Sequence, residues 1–215
     1  MENLLNNFYV EWTLFILFIV LIAIASVDIL KKKYNTDIKN KLNYKNIDFK
    51  FLLKMLFLSL GLRIIFEHYL IPISESDAFI PNSVLQLVVL FVATCLFAPV
   101  CEEIIFRFGI YEYINKKGMS NIFNMIITSI IFAIIHFYGI NAIIILIIIS
   151  YIWNYAYFKT NNLLYPILLH FIHNVYALIC NYIPNNNFYL YLELICLIGY
   201  IIITLKNSNK KATVS

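Results

Sequence analysis

Charge is scarce in this chain: Asp, Glu, Lys and Arg make up 13% of its 215 residues, against about 25% in ordinary soluble domains. Together with 62% hydrophobic residues, that scarcity excludes a soluble globular protein, which would have to expose its surplus Ile, Leu, Phe and Tyr as apolar patches. A lipid bilayer must therefore solvate most of the surface. Paired cysteines are also lacking. Cys95, Cys101, Cys180 and Cys196 lie inside apolar runs without CxxC spacing, so neither a disulfide framework nor a zinc ribbon is indicated, and each reads as a small packing residue. There is no HExxH pair, no internal repeat, and no linker long enough for a second soluble domain. The first apolar stretch lacks the leading positive charge of a signal peptide. Glu2 and Glu11 precede it and Lys31, Lys32 and Lys33 follow it, so it is expected to remain as a span. The final KATVS carries no prenylation box.

What the chain does have is apolar segments of about the length that crosses 30 Å of hydrocarbon. They cover 12–30, 51–71, 83–114, 122–138, 140–158, 163–183 and 188–205. The pattern predicts an all-α, polytopic membrane helical bundle of about seven transmembrane helices. Lys54, Arg63, Glu67 and His68 interrupt the second segment, which is expected to lie partly along the interface. The third is too long for one perpendicular span and contains Pro99, where a bend is expected. Three parts follow: two spans and a basic linker in 1–82, a core in 83–183, and a last span with a basic tail in 184–215.

Lysines fall in every second gap. Seven lie in 31–50, Lys116 and Lys117 follow segment three, Lys159 follows segment five, and Lys206, Lys210 and Lys211 end the chain. The alternate gaps hold Glu75 and Asp77, Gly139 to Asn141, or Pro184 to Asn187, without Lys or Arg. The positive-inside rule then predicts an outside N-terminus and a cytoplasmic C-terminus. Basic gaps this short are orientation signals, which argues against nucleic-acid binding.

Ionisable groups inside spans cost several kcal/mol unless paired or hydrated, so each one is a functional hypothesis. Glu102 lies 17 residues before Met119 and His136 lies 17 after it, so on antiparallel helices both sit about 20 Å above one boundary. His170 and Asn174 lie 8 and 12 residues past Asn162, about 12 and 18 Å above the same boundary. Glu103 and Arg107 are i,i+4 neighbours able to form an ion pair, whereas Glu102 points about 100° away, toward a cavity. His170 and Asn174 share a face and can present donors to one oxygen. His173 lies off that face and is expected to be an orienting neighbour or helix contact; Phe106 and Phe132 are expected to wall the site. From the residues alone, two classes stay open: a hydrolase, or a non-catalytic membrane binding or immunity protein or small proton-coupled transporter using the same cluster.

EEIIFR at 102–107, FAIIH at 132–136 and HFIHN at 170–174 fit EExxxR, FxxxH and HxxxN. In this the chain resembles the CPBP family of intramembrane endopeptidases, which includes type II CAAX prenyl proteases and bacterial Abi or bacteriocin-processing members. The resemblance implies that Glu102 and His136 activate a water and that His170 and Asn174 stabilise the oxyanion, with Glu103 and Arg107 supporting. It favours a reaction without a cofactor, although Glu102, His136 and His170 are suitable ligand types for zinc with an open fourth position. The implied partner is a membrane protein or peptide: a prenylated CAAX-type protein, a bacteriocin or pheromone precursor, or a membrane protein clipped in regulation. Usage rich in Ile, Asn and Lys is associated with low-GC bacteria. It leans the expectation toward a bacterial cell membrane and toward peptide maturation or bacteriocin self-immunity.

Overall fold

The computed structural model describes residues 2–70, 81–137, 139–180 and 187–212. The gap residues Glu75 and Asp77, and Pro184 to 186, therefore lie outside the described residues. Seven helices account for nearly all of the rest: α1 Glu2–Tyr34, α2 Phe49–Ile65, α3 Val84–Lys116, α4 Asn121–Ile134, α5 Ile140–Thr160, α6 Leu164–Cys180 and α7 Asn187–Ala212. α2 continues into a wide π turn, Phe66–Leu70. The stretches 7–34, 84–116, 140–160 and 188–205 are long and apolar enough to cross a membrane, while α4 and α6 are shorter apolar helices. The chain is an integral membrane helical bundle.

Local chemistry sets several boundaries. Asp48 caps α2 by accepting from the Lys50 and Phe51 amides, Ser83 caps the start of α3 by accepting from Gln86, and Ser120 caps α4 by accepting from Phe123. Each satisfies helix N–H groups that would otherwise be orphaned. α5 ends at Asn161 in the left-handed conformation, φ 51°, which Asn tolerates better than most residues. α4 ends earlier than the apolar pattern predicts, since Phe137 has φ 52° and breaks the helix. His136 therefore stands in the turn after α4 and not within a helix.

Pro99 does not divide α3. A π turn, Phe91–Phe97, precedes it, and the Ala98 amide donates to the Ala93 carbonyl five residues back. The backbone thus absorbs the missing proline donor by widening. A second wide turn, Ile104–Tyr111, follows Glu103.

α3 is the axis of the bundle. α1 packs on it through Ile19 and Ala23 against Ala98 and Cys101, and through Ser26 against Gly109, where an added Cβ would lie 3.2 Å from the Ser26 Cβ. Small residues at this seam let the backbones approach. α4, α5 and α6 close the other side around Phe106, Phe132, Ile149, Trp153 and Leu169. α2 is packed into the bundle against α5, α6 and α7, with Leu52, Met55, Ser59, Leu60, Gly61 and Ile64 buried. It does not lie along a surface.

Two of its charges are accommodated: Arg63 Nε lies 2.7 Å from Glu67 Oε1, and Arg63 Nη1 donates to the His173 carbonyl at 2.9 Å.

At the lysine-rich end, the linker after α1 is strapped to the α5–α6 turn. Lys41 Nζ pairs with buried Glu112 at 2.6 Å and also bonds Asn161; Tyr157 Oη donates to the same Glu112 carboxylate at 2.6 Å. The Leu163 amide donates to the Lys41 carbonyl at 2.7 Å, and Asn162 Nδ2 to the Asn43 carbonyl at 2.7 Å. Part of the basic linker that serves as an orientation signal in the sequence is thus a bonded strap.

Candidate active site

The six motif residues meet where α3 crosses α6, beside the α4–α5 turn. Glu103 and Arg107 are both fully buried. Arg107 Nη1 donates to Glu103 Oε1 at 3.1 Å, and Nε lies 3.0 Å from Oε2. The guanidinium continues into α5, where Nη2 donates to the Ser150 carbonyl at 3.2 Å and its Oγ at 2.8 Å. Its planar cation lies 4.9 Å from the Phe132 ring centre and 5.6 Å from that of Trp153, a favourable cation–π arrangement. Burial of this charge is therefore compensated on every side.

Glu103 has a second partner that i,i+4 spacing does not reveal. His170 Nδ1–H donates to Glu103 Oε1 at 2.8 Å. The His170 ring stacks on Trp153, 4.6 Å between centroids at 26°, with the edge of Phe132 at 5.7 Å. The ring of His136 is held in the same fashion, its Nδ1–H donating to the Phe132 carbonyl at 2.6 Å. With both Nδ1 protons committed, the Nε2 atoms of the two histidines face Glu102, at 3.7 Å from Oε2 for His136 and 3.9 Å for His170. That oxygen is buried and has no hydrogen-bond partner among the described residues.

The chemistry of this arrangement follows from counting protons. A neutral imidazole with a protonated Nδ1 carries a lone pair on Nε2, so two nitrogen lone pairs and a carboxylate oxygen converge across less than 4 Å. A water among them could donate a hydrogen to the carboxylate oxygen or to either nitrogen.

Asn174 differs from the sequence expectation in one respect. Its Nδ2 donates to the Thr94 carbonyl of α3 at 2.7 Å, so one of its two amide hydrogens is committed to fixing the side chain. His173 is buried against α2, with Nε2 2.9 Å from Ser59 Oγ, and serves as a helix contact.

Glu102, His136, His170 and Asn174 line a cavity of about 1460 Å³, with Phe106 and Phe132 in its wall. The other lining residues include Asn7 and Trp12 near the start of α1, Arg63 and Glu67 near the end of α2, and Ala177 and Leu178 near the end of α6. The cavity thus occupies the half of the bundle away from the lysine-rich end. Trp153, Ser150 and Thr94 shape the site yet carry no motif. Trp153, one of two tryptophans in the chain, was the only one of the three with a compositional signal. Among the described residues no group of three His, Cys, Asp or Glu side chains is placed to hold a metal ion.

Residues 84–176 match the family model described as Type II CAAX prenyl endopeptidase Rce1-like. The match supports the CPBP/CAAX protease family and, at the family level, a CAAX-type intramembrane protease. The matched stretch contains all six motif residues and runs from the start of α3 into α6, leaving α1, α2 and α7 outside it. Comparisons with curated proteins and with solved structures give no match.

Proposed function

We propose, with the CAAX-protease family as premise, that this chain is a glutamic-type intramembrane endopeptidase in which Glu102 and His136 activate a water against a peptide bond held in the cavity. The observation that carries this reading is the buried, unpartnered Glu102 Oε2 facing the Nε2 atoms of two histidines whose rings are fixed from behind. A water there gives one proton to the Glu102–His136 pair as its oxygen bonds to the scissile carbonyl carbon. The carbonyl π electrons move onto oxygen. His170, held from behind by Glu103, and the second Asn174 amide hydrogen donate to that oxyanion. Each such donor typically contributes about 3–4 kcal/mol. When the C–N bond breaks, the stored proton passes to the departing amine, so the proton count closes without a covalent intermediate. Arg107 takes no part in proton transfer and holds Glu103 in place. A metal is not used in this scheme.

The substrate is a membrane-associated protein or peptide. Lysine placement puts the lysine-rich end in the cytoplasm, so the cavity lies in the outer half of a bacterial cell membrane. That location supports peptide maturation or bacteriocin self-immunity over processing of a prenylated protein on the cytoplasmic leaflet.

The decisive experiment compares Glu102→Ala and His136→Ala with wild type at matched protein levels, reading the membrane peptidome by mass spectrometry. Both variants should abolish cleavage, and full cleavage by either would sink the mechanism. Glu102→Gln separates the competing class, because a binding protein or scaffold keeps its phenotype when the carboxylate becomes an amide of the same shape.

A further inference from the structure

On the side of α5 turned away from the reaction cavity, a cleft of about 260 Å³ opens between α2, α5 and α7. It is lined by Lys54, Tyr151, Tyr155 and Tyr200 over an apolar floor that includes Met55 and Ile152. Two of its polar components, Lys54 and Tyr155, come to one level. Lys54 lies five residues inside the start of α2 at Phe49, and Tyr155 five residues before the end of α5 at Thr160, about 8 Å inside the lysine-rich end in each case. Lys54 Nζ sits 5.4 Å from the Tyr200 ring centre on α7. Lys159 Nζ sits 5.6 Å from that of Tyr155.

Spacing within the helices extends the pattern. Lys50 is one turn from Lys54 on the same face of α2, and Tyr151, Tyr155 and Lys159 form an i, i+4, i+8 stripe on α5. None of the ion pairs among the described residues involves Lys50, Lys54 or Lys159. This contrasts with Lys41, Arg63 and Arg107, whose charges are matched by carboxylates. The hydroxyls of Tyr151, Tyr155 and Tyr200 likewise make no hydrogen bond to the described residues, whereas that of Tyr157, two positions along, is bound to Glu112. No carboxylate lines the cleft.

We propose that this cleft binds the headgroup of an anionic phospholipid. The Lys54 ammonium and the tyrosine hydroxyls take the phosphate, Lys50 and Lys159 border it, and the first acyl methylenes lie on Met55 and Ile152. Basic pockets between transmembrane helices near the headgroup level have the right chemistry for such lipids. The residues of this site lie apart from the proposed catalytic machinery, and the inference does not depend on that reading.

Native mass spectrometry of the full, delipidated chain in detergent provides the test, titrating phosphatidylglycerol or phosphatidylcholine. Wild type should bind phosphatidylglycerol at least fivefold more tightly than phosphatidylcholine, and Lys54→Gln should remove about fivefold of that affinity, the typical contribution of one basic residue near the headgroups. Tyr200→Phe keeps the ring beneath Lys54 and removes only a hydroxyl; it should lose about threefold, which keeps the proposal testable if Lys54→Gln fails to fold. Lys45→Gln, in the exposed linker, should leave phosphatidylglycerol binding unchanged. Equal binding of the two lipids, wild-type affinity in both cleft variants, or an equal loss in Lys45→Gln would overturn the proposal. So would competition by inorganic phosphate as strong as by the lipid.

Discussion

Removing Glu103 tests whether the buried charge cluster is held together as described. Glu103→Ala leaves the Arg107 guanidinium fully buried, with Ser150 and two aromatic faces as its remaining direct contacts. Breaking a buried ion pair on one side costs about 3–5 kcal/mol, because the surviving charge loses its bonded counter-ion. For a chain of this size, that corresponds to a fall in midpoint of roughly 6–20 °C. Thermal unfolding in detergent can be followed with a thiol-reactive fluorophore, since Cys95, Cys101 and Cys196 are buried in the native state. The paired variant Glu103→Leu/Arg107→Met removes both charges and should recover most of the loss. It should nevertheless remain inactive, because His170 Nδ1 then has no acceptor. A cost below about 1 kcal/mol for Glu103→Ala, or a double variant no more stable than the single one, would refute the reasoning.

At the lysine-rich end, Glu112→Gln should destabilise the protein by about 3 kcal/mol, since Lys41 and Tyr157 share that carboxylate; equilibrium unfolding measures it. Gly199→Ala should lower the midpoint by a few degrees, because the new Cβ would stand 2.5 Å from Phe57 Cε2 and overpacking costs about 1–3 kcal/mol. Phe57→Leu in the same chain should relieve it. Exhaustive chelation followed by metal analysis should leave cleavage at the wild-type rate, and loss restored by zinc would transfer the chemistry to a metal-based scheme.

Much of this architecture could be read from the sequence, and the parts that could not share a physical reason. Hydropathy located the seven helices of the described residues, because a bilayer leaves little freedom in where an apolar run can go. Counting from a common turn put Glu102 and His136 at one level, and the structure brings them within 3.7 Å. The same counting placed His136 inside a helix, although Phe137 has already turned the chain. Helical phase found the Glu103–Arg107 pair, which is local, and missed the bond from Glu103 to His170, which spans 67 positions. The two wide turns in α3 also defeat a count of 100° per residue. Likewise, Lys41 looks like any other lysine of the linker until Glu112, 71 residues on, is seen against it.

That strap between the linker and the α5–α6 turn bears on how the protein is made. Its two sides are far apart in the chain: Asn43 and Asn162 are separated by 119 positions. At about 5–20 residues per second, roughly 6–24 seconds of synthesis separate them. During that interval α1 and α2 can be inserted and Lys41 can meet Glu112 of α3, but the α5–α6 turn that completes the strap does not yet exist. The first two helices are thus committed to the membrane before their mutual position can be fixed, and α5 and α6 complete that step from the far side of the sequence.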